Sequence, residues 1–396
     1  MISTPVTPDL VVGIDRLETT ARGLRPHRLP AWVCEQVPDP RMAAMEAQPA
    51  GARIVVDTAA TSLELVLHPT HLAYRGIVRP RGAVDLVVGS ELLATDELTG
   101  GDAFVTDLTT GETELVAGPA HVARFGGLAA GEKRLELWLP HNETVELVEL
   151  RSDAPVAAAP RTGRRWLHHG SSISQGSNAA TPAGTWASRA ARLGGVDLRN
   201  LGLGGNAFVD PGLARLMRDT PADLLSVKLG INVVNADAMR VRTLVPAVHG
   251  FLDTLRDGHP DTPLLVVSPI FCAIHERTPG PGAFDTEALA RGQVRFAATG
   301  TEGDVELGRL TLEVVREVLA DVVARRDDPH LHLLDGRDLY GESDAVAHPM
   351  PDALHPDTAT HELMGSRFAN RAFGPGGPFA GSSPGRTSTP DSHQRP

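Results

Sequence analysis

Aromatic residues are scarce in this chain: ten Phe, four Trp and two Tyr, 4% of 396 residues. That count weakens any function needing stacking platforms, such as single-stranded nucleic-acid binding. Cysteine is nearly missing. Cys34 and Cys272, far apart in sequence, exclude a disulfide framework and a Cys-rich zinc site. Basic charge is short as well, with 37 Lys and Arg against 49 Asp and Glu, net −12. This balance argues against nucleic-acid partners and anionic membranes. No apolar run reaches the ~18 residues of a bilayer span. The N-terminal stretch MISTPVTPDLVVGIDRLE lacks a basic segment followed by an apolar one, so no secretory signal is read. A reduced, cytoplasmic protein is the expectation, and the sequon Asn142-Glu143-Thr144 is then an accident.

What is present is ordinary globular material, 41% hydrophobic and 22% charged. At roughly 100–200 residues per domain the length predicts two domains. In the first part, Leu63, Leu65 and Leu67 alternate with polar or outward positions, as do Val84, Leu86 and Val88, and Leu135, Leu137 and Leu139. Period-two spacing marks strands with one buried face. Turn signals at Arg81-Gly82, Thr99-Gly100-Gly101, Thr110-Gly111 and Gly126-Gly127 separate them, which predicts an antiparallel sandwich over 1–155. The small, Pro-containing stretch 156–163 reads as a linker. Beyond it, apolar runs at 164–169, 196–201, 222–229, 263–268 and 330–335 alternate with helical patterns. That texture predicts an α/β domain over 164–373, a parallel sheet with helices on both faces. The longest helix is expected at Asp304–Arg325 and the last from Pro356 to about Ala372. The Gly-, Pro- and Ser-rich stretch 374–396 reads as a disordered tail.

Four pieces carry chemistry. His168-His169-Gly170-Ser171-Ser172-Ile173-Ser174-Gln175-Gly176 follows the first strand of the second domain. A serine there stands where open α/β sheets bind ligands, at a helix N-terminus that favours developing negative charge; a plain helix cap is the competing role. Asn200-Leu201-Gly202-Leu203-Gly204-Gly205-Asn206 follows the next strand. Its glycines permit close backbone approach, and it has no P-loop lysine. Gly230-Ile231-Asn232 ends a third strand, where an amide can serve an oxyanion or simply close a turn. Asp352-Ala353-Leu354-His355-Pro356 precedes the last helix. A serine hydroxyl needs a base near neutral pH, and His355 oriented by Asp352 would supply it.

Together, in the order Ser, Gly, Asn, Asp-x-x-His, these pieces resemble the SGNH hydrolase family, the GDSL esterases and lipases, over about residues 163–372. The resemblance implies a flavodoxin-like α/β/α three-layer domain behind a jelly-roll-like all-β sandwich. It makes Ser172 the nucleophile, with Asp352 and His355 completing the triad. It places the oxyanion hole at the Ser172 and Gly205 N–H groups and the Asn232 amide. Two positions depart from the family pattern: Ser171 stands for the usual Asp before the nucleophile, and Val233 for the usual Asp after the block-three asparagine. The implied chemistry is acyl transfer through an acyl-enzyme, on a small-molecule acyl ester, without metal or cofactor. His169, Phe271, Cys272 and His275 are candidate substrate-binding residues because they adjoin the same rim.

Three further readings stay open at this level. Asp352, His355, Asp357 and His361, with His330 and His332, form a ligand-like set for a metal-dependent hydrolase. The sandwich, whose aromatics are Trp32, Tyr74, Phe104, Phe125 and Trp138, could bind carbohydrate or wall one side of the active site. Esterases and acyltransferases share one triad, so an acceptor alcohol, a hydroxyl of a natural product or a sugar, could replace water. The sequence favours hydrolysis.

Overall fold

The computed structural model describes residues 1–381. The N-terminal part is two stacked sheets of eight and six strands. Ser62–Tyr74 lies central in the first sheet, between Asp102–Thr106 and Thr144–Ser152, and also pairs with His121–Gly126. Arg53–Thr58 and Lys133–Trp138 are central in the second. Leu63, Leu65, Leu67, Leu135, Leu137 and Leu139 are all fully buried, and all six meet Ile54, Val56, Val84 and Leu86 in one core between the sheets. The alternation in the sequence is therefore the sandwich interior, as the pleat requires.

Four details differ from the sequence reading. The sandwich is not wholly antiparallel, since Ser62–Tyr74 and Asp102–Thr106 run parallel. A bulge between Leu147 and Glu149 keeps both Leu147 and Leu150 facing the core. The extra residue breaks period two, which hid this strand from pattern reading. The stretch read as a linker is partly structural: Val156–Ala158 pairs with Arg53–Thr58 as an edge strand of the second sheet. The N-terminal part also contains two helices, Ala31–Gln36 and Pro40–Glu46, the second capped by the Asp39 carboxylate accepting from the Arg41 N–H at 2.7 Å.

The second part is a five-stranded parallel sheet of β1 (Arg165–Gly170), β2 (Asp197–Gly202), β3 (Leu224–Lys228), β4 (Leu264–Val267) and β5 (Leu331–Leu334), in spatial order β2-β1-β3-β4-β5. Side chains alternate between two cores. Leu167, Leu225, Val227, Leu264 and Val266 meet the helices Pro211–Asp219, Val241–Gly258 and Leu312–Ala324. Trp166, Leu224, Leu265 and Val267 meet Trp186–Gly194 and Thr358–Phe368. This is the expected three-layer arrangement. The order reverses at β1, which opens the crevice above β1 and β3 where such sheets bind ligands.

The helix expected at Asp304–Arg325 is two elements. A 3₁₀ segment, Glu302–Leu307, ends at Gly308 with φ 79°, and the α-helix Leu312–Ala324 restarts after the Thr311 cap. The positive φ that glycine tolerates is what interrupts the helical period. The tail expected to be disordered from 374 is packed as far as the description goes. Phe379 is fully buried and its N–H bonds the Ala372 carbonyl at 2.8 Å. Apolar burial against Phe373, 5.7 Å away between ring centroids, outweighs the Gly-Pro composition around it. Residues 382–396 lie outside the described residues. Among the described residues no helix is long and apolar enough to cross a membrane.

The two parts are not strung loosely together. Leu29, Val33 and Met42 from the N-terminal segment join the core of the second part. Arg28, fully buried, donates to the carbonyls of Asn200 and Gly202 at 3.1 and 2.6 Å. Arg53 reaches the Asp197 carboxylate at 2.6 Å. Trp138 lies buried under the Arg53 guanidinium at 4.9 Å, and Phe125 is buried in the sandwich core. Trp32 packs on the core of the second part, so at least three of the five aromatics are used for packing.

Candidate active site

β1 ends at Gly170, and a single helical turn, Ser172–Gln175, begins at once. Ser171 caps it, its hydroxyl accepting from the Ile173 N–H at 3.4 Å. Ser171 thus ties down the turn, a duty an Asp at that position can also perform. Ser174 points the other way, fully buried, with its Oγ 2.8 Å from His168 Nε2. His168 Nδ1 in turn lies 2.7 Å from Ser226 Oγ. Burial pushes the His168 pKa far below the ordinary imidazole value, so the ring is a neutral link inside the fold. Ser172 is the serine of this cluster that faces a base: its Oγ lies 2.9 Å from His355 Nε2.

His355 Nδ1 lies 2.7 Å from Asp352 Oδ2. The other oxygen, Oδ1, accepts the N–H groups of Leu354 and His355 at 2.9 and 2.7 Å. The turn closes because Ala353 adopts φ 67°, a left-handed conformation uncommon for an L-residue. Burial would raise the Asp352 pKa, but the bonds from His355 and the turn outweigh it and hold the carboxyl below its usual range. The carboxylate is therefore ionised wherever the imidazole works, and fixes which nitrogen carries the proton.

The oxyanion candidates come from the ends of three adjacent strands. Ser172 follows β1, Gly205 follows β2, and Asn232 begins the short helix Ile231–Asn235 after β3. Among the described residues, neither the Ser172 N–H nor the Gly205 N–H has an acceptor. Gly205 has φ 70°, which lets the turn present its amide. Asn232 Oδ1 accepts from the Ala207 N–H at 3.0 Å, so its Nδ2 is the end left to donate. That bond also ties the turn after β2 to the helix after β3. Val233 is fully buried in the core below.

The four residues expected to contact substrate are each engaged in contacts within the fold. His169 is fully buried, with Nδ1 on the Leu201 carbonyl at 2.8 Å and its ring stacked 6.2 Å from Phe251. Alternation along β1 sends it to the face covered by the helix Val241–Gly258, opposite the face where His168 meets Trp186. Phe271 is half-buried against the other core. His275 is held by the Thr278 carbonyl and Asn235 Oδ1 at 3.2 and 3.1 Å. Cys272 supports the triad from behind, its Sγ 3.5 Å from the Ala353 carbonyl, and burial pushes its thiol up to about 12. It is a packing residue, not a nucleophile.

Three residues at the site escaped sequence reading. Asn178 donates its side-chain amide to Asp352 Oδ2 at 3.1 Å. Phe296 donates its N–H to the Asp352 carbonyl at 2.9 Å, and its ring meets His355 edge-on, centroids 5.6 Å apart at 76°. Phe284, on the other strand of the hairpin Gly282–Phe284/Phe296–Ala298, lies 5.1 Å from Phe296 and is 36% exposed. Nothing local marks these residues, because Asn178 and the hairpin lie far before Asp352 in sequence and reach it only by folding back.

The metal-like set comes apart. Asp357 caps the helix Thr358–Phe368 through the Thr360 N–H at 2.8 Å. His361 accepts from the Trp186 N–H at 3.2 Å and donates to the Ser177 carbonyl at 2.9 Å. Both His361 nitrogens are thus engaged. Among the described residues no group of three or more His, Cys, Asp or Glu side chains could hold a metal ion.

Residues 169–363 match the model of the GDSL-like lipase/acylhydrolase family. A salicylyl-acyltransferase from a tetracycline biosynthetic pathway shares the fold with TM-score 0.74 at 24% identity, over 92% of this chain and 95% of that one. A protein of Bacteroides ovatus described as a GDSL-like lipase aligns with TM-score 0.64 at 19% identity, over 91% and 93%. A family two carbohydrate esterase from Clostridium thermocellum, in complex with cellohexaose, aligns with TM-score 0.53 at 15% identity, over 82% and 92%. These likenesses extend through the N-terminal β-rich part as well as the parallel sheet. No curated protein matches the chain in sequence.

Proposed function

We propose that this chain, which belongs to the GDSL-like lipase/acylhydrolase family through residues 169–363, is a serine esterase that cleaves a small acyl ester through an acyl-enzyme on Ser172. The observation that carries the proposal is the unbroken chain Ser172 Oγ, His355, Asp352, at 2.9 and 2.7 Å. Ser172 attacks the ester carbonyl while His355 Nε2 takes its proton, and Asp352 stabilises the imidazolium. The carbonyl oxygen, now negative, is received by the Ser172 and Gly205 N–H groups and Asn232 Nδ2. Each such donor is worth about 2.7–4 kcal/mol in the transition state. Collapse breaks the bond to the alcohol oxygen, which leaves with the proton from His355. Water then repeats the sequence and frees the acid. No step requires a metal or a cofactor. The free thiols Cys34 and Cys272 fit our assignment of a reducing, cytoplasmic setting.

A second reading replaces water by an acceptor hydroxyl. It is favoured by one feature, the half-buried Phe296 against His355 with the exposed Phe284 packed on Phe296, which would offer an alcohol apolar surface near the base. One experiment addresses both readings. Intact-mass spectrometry after a fluorophosphonate probe should place a single adduct on Ser172. An aryl ester should then partition its acyl group mainly to water in the presence of sugars or polyphenolic alcohols. Saturable dependence on an added alcohol, with hydrolysis a minor leak, would replace esterase by acyltransferase and leave the triad intact. An adduct elsewhere than Ser172 would defeat both.

A further inference from the structure

The turn that carries Gly205 is braced from the N-terminal part of the molecule, through one side chain. Gln175, the last residue of the helical turn that starts at Ser172, is 4% exposed. Its Oε1 accepts the Gly204 N–H at 2.8 Å. Its Nε2 donates to the side-chain oxygen of Gln48 and to the His141 carbonyl, the latter at 3.2 Å. A carbonyl can only accept and a backbone N–H can only donate, so these partners fix which way the Gln175 amide faces. Gln48, itself buried, follows the helix Pro40–Glu46, and His141 sits in the loop between two sandwich strands.

Further contacts reach the turn from the N-terminal part, beside those made within the second part by the Leu203 N–H on the Gly170 carbonyl at 2.8 Å and the Ala207 N–H on Asn232 Oδ1 at 3.0 Å. A Cβ built on Gly204 would stand 2.9 Å from Met45 Sδ, so the N-terminal helix presses directly on the turn. Arg28 holds the carbonyls of Asn200 and Gly202. Asn200 closes the base, accepting the Gly202 N–H and donating to the Ser174 carbonyl, both at 2.8 Å. The Gly205 amide, by contrast, has no acceptor among the described residues. The turn is closed by the Asn206 N–H on the Leu203 carbonyl at 3.1 Å and the Asn206 side-chain amide on the Gly204 carbonyl at 2.8 Å, with φ 70° at the free Gly205 amide. Its position relative to Ser172 is set by what surrounds it.

We infer that Gln175 is a positioning residue for the oxyanion hole, and that through Gln48 and His141 the N-terminal sandwich part completes the catalytic site. The inference rests on the serine acyl-enzyme reading. It assigns the sandwich a catalytic support role in place of a detachable binding module. Displacing an aligned donor by about 1 Å can cost as much as 10²-fold in rate, so small changes in this brace should register in turnover.

The test uses the full chain with a chromogenic aryl ester and a fluorophosphonate probe. Gln175→Ala should lower kcat between about tenfold and a hundredfold with KM within twofold. The rate of fluorophosphonate labelling should fall in step, because phosphonylation develops charge on the same oxyanion. Affinity for an aryl ketone that traps Ser172 as a tetrahedral adduct should fall by the same factor. Affinity for the acid product, which forms no oxyanion, should hold. Gln48→Leu, changed on the sandwich side only, should show the same pattern at a smaller amplitude, since the His141 carbonyl remains. It keeps the inference testable if Gln175→Ala does not fold. Wild-type kcat and labelling rate in folded Gln175→Ala, or in Gln48→Leu if that alone folds, would overturn it. So would a loss that appears in KM and product affinity alone. If the wild-type chain itself takes no label on Ser172, the serine reading fails first, and that result is distinct.

Discussion

Asn178 and His355 share one oxygen. Asp352 Oδ2 lies 2.7 Å from His355 Nδ1 and accepts the Asn178 amide at 3.1 Å, while Asn178 itself sits at φ 67°. The strained backbone is held by the fold around it. The His361 ring bonds the Ser177 carbonyl at 2.9 Å, and the Ala180 N–H bonds Thr358 Oγ1, also at 2.9 Å. Backbone strain of this kind persists only where neighbours over-determine it. The bond adds a third kind of donor to Asp352, beside His355 and the turn amides, and fixes the plane of the carboxylate.

Asn178→Ala should therefore lower kcat by roughly tenfold, from a bond to a charged acceptor worth about 1.5 kcal/mol, and leave KM nearly unchanged. Asn178→Gly should lose the same factor in kcat with less loss of Tm, because glycine accepts the positive φ. Asn178→Asp should be the most damaging, since a second carboxylate would face Asp352. Steady-state kinetics and thermal melts on the three variants check this. Wild-type kcat in Asn178→Ala would remove the residue from the site.

The two buried serines of the nucleophile turn should separate cleanly. Ser172→Ala should abolish probe labelling and lower kcat by about 10⁴–10⁶, as for members of a cooperative triad. Ser174→Ala should label at the wild-type position. It removes a buried bond to His168 and should cost about 1–3 kcal/mol of stability, read by denaturant unfolding. Labelling lost in Ser174→Ala and kept in Ser172→Ala would reverse the assignment.

The hairpin phenyls should affect which ester is chosen more than how fast the bond breaks. Phe284→Ala removes the exposed ring beside Phe296 without touching the triad. An aromatic contact worth about 0.5–1.5 kcal/mol predicts a roughly two- to tenfold loss in kcat/KM for esters of aryl alcohols. Methyl and ethyl esters of the same acid should be unaffected. Equal loss on both ester types would mean that the hairpin only supports the Asp352 turn.

Acid should destabilise the fold well above the carboxylate range. Burial lowers the pKa of His141 to about 3 and of His169 and His361 to about 4. In the unfolded chain these rings take up protons near 6.5. Between about 6.5 and 4 the unfolded state binds more protons, so unfolding free energy falls as pH falls. Their contribution is fully present above about 6.5 and is lost on the way down to about 4 for His169 and His361 and about 3 for His141. Tm should be flat from pH 8 to 7 and decline steadily below 6.5. His141→Gln should flatten part of that decline, and parallel Tm curves would exclude His141 from it.

Much of this could be read along the chain because it is local. The inward leucines at 63, 65, 67, 135, 137 and 139 fix the sandwich core, since the pleat sends alternate side chains to one face. The five apolar runs of the second part fall within one or two residues of β1 to β5. Ser172 at the end of β1, Asn232 after β3 and the three-residue step from Asp352 to His355 were marked by short motifs whose members touch or flank strand ends. What misled pattern reading was also physical. A glycine at φ 79° cut one helix in two, a bulge shifted one strand's period, and Phe379 found a core that its Gly-Pro surroundings do not advertise.

The sequence by itself determined the two-part architecture and the residue types of the triad, because periodicity and turn chemistry act over a few neighbouring residues. The tertiary structure supplies the physical reason that Ser172 and not Ser174 meets the imidazole, since the two are two positions apart and differ in whether His355 or His168 lies opposite. It alone brought Asn178 and Phe296 to Asp352, and set Gln48 and His141 against Gln175. Those contacts join segments up to 174 positions apart. Their partners are chosen by the packing of two whole parts against each other, and no local pattern encodes that choice.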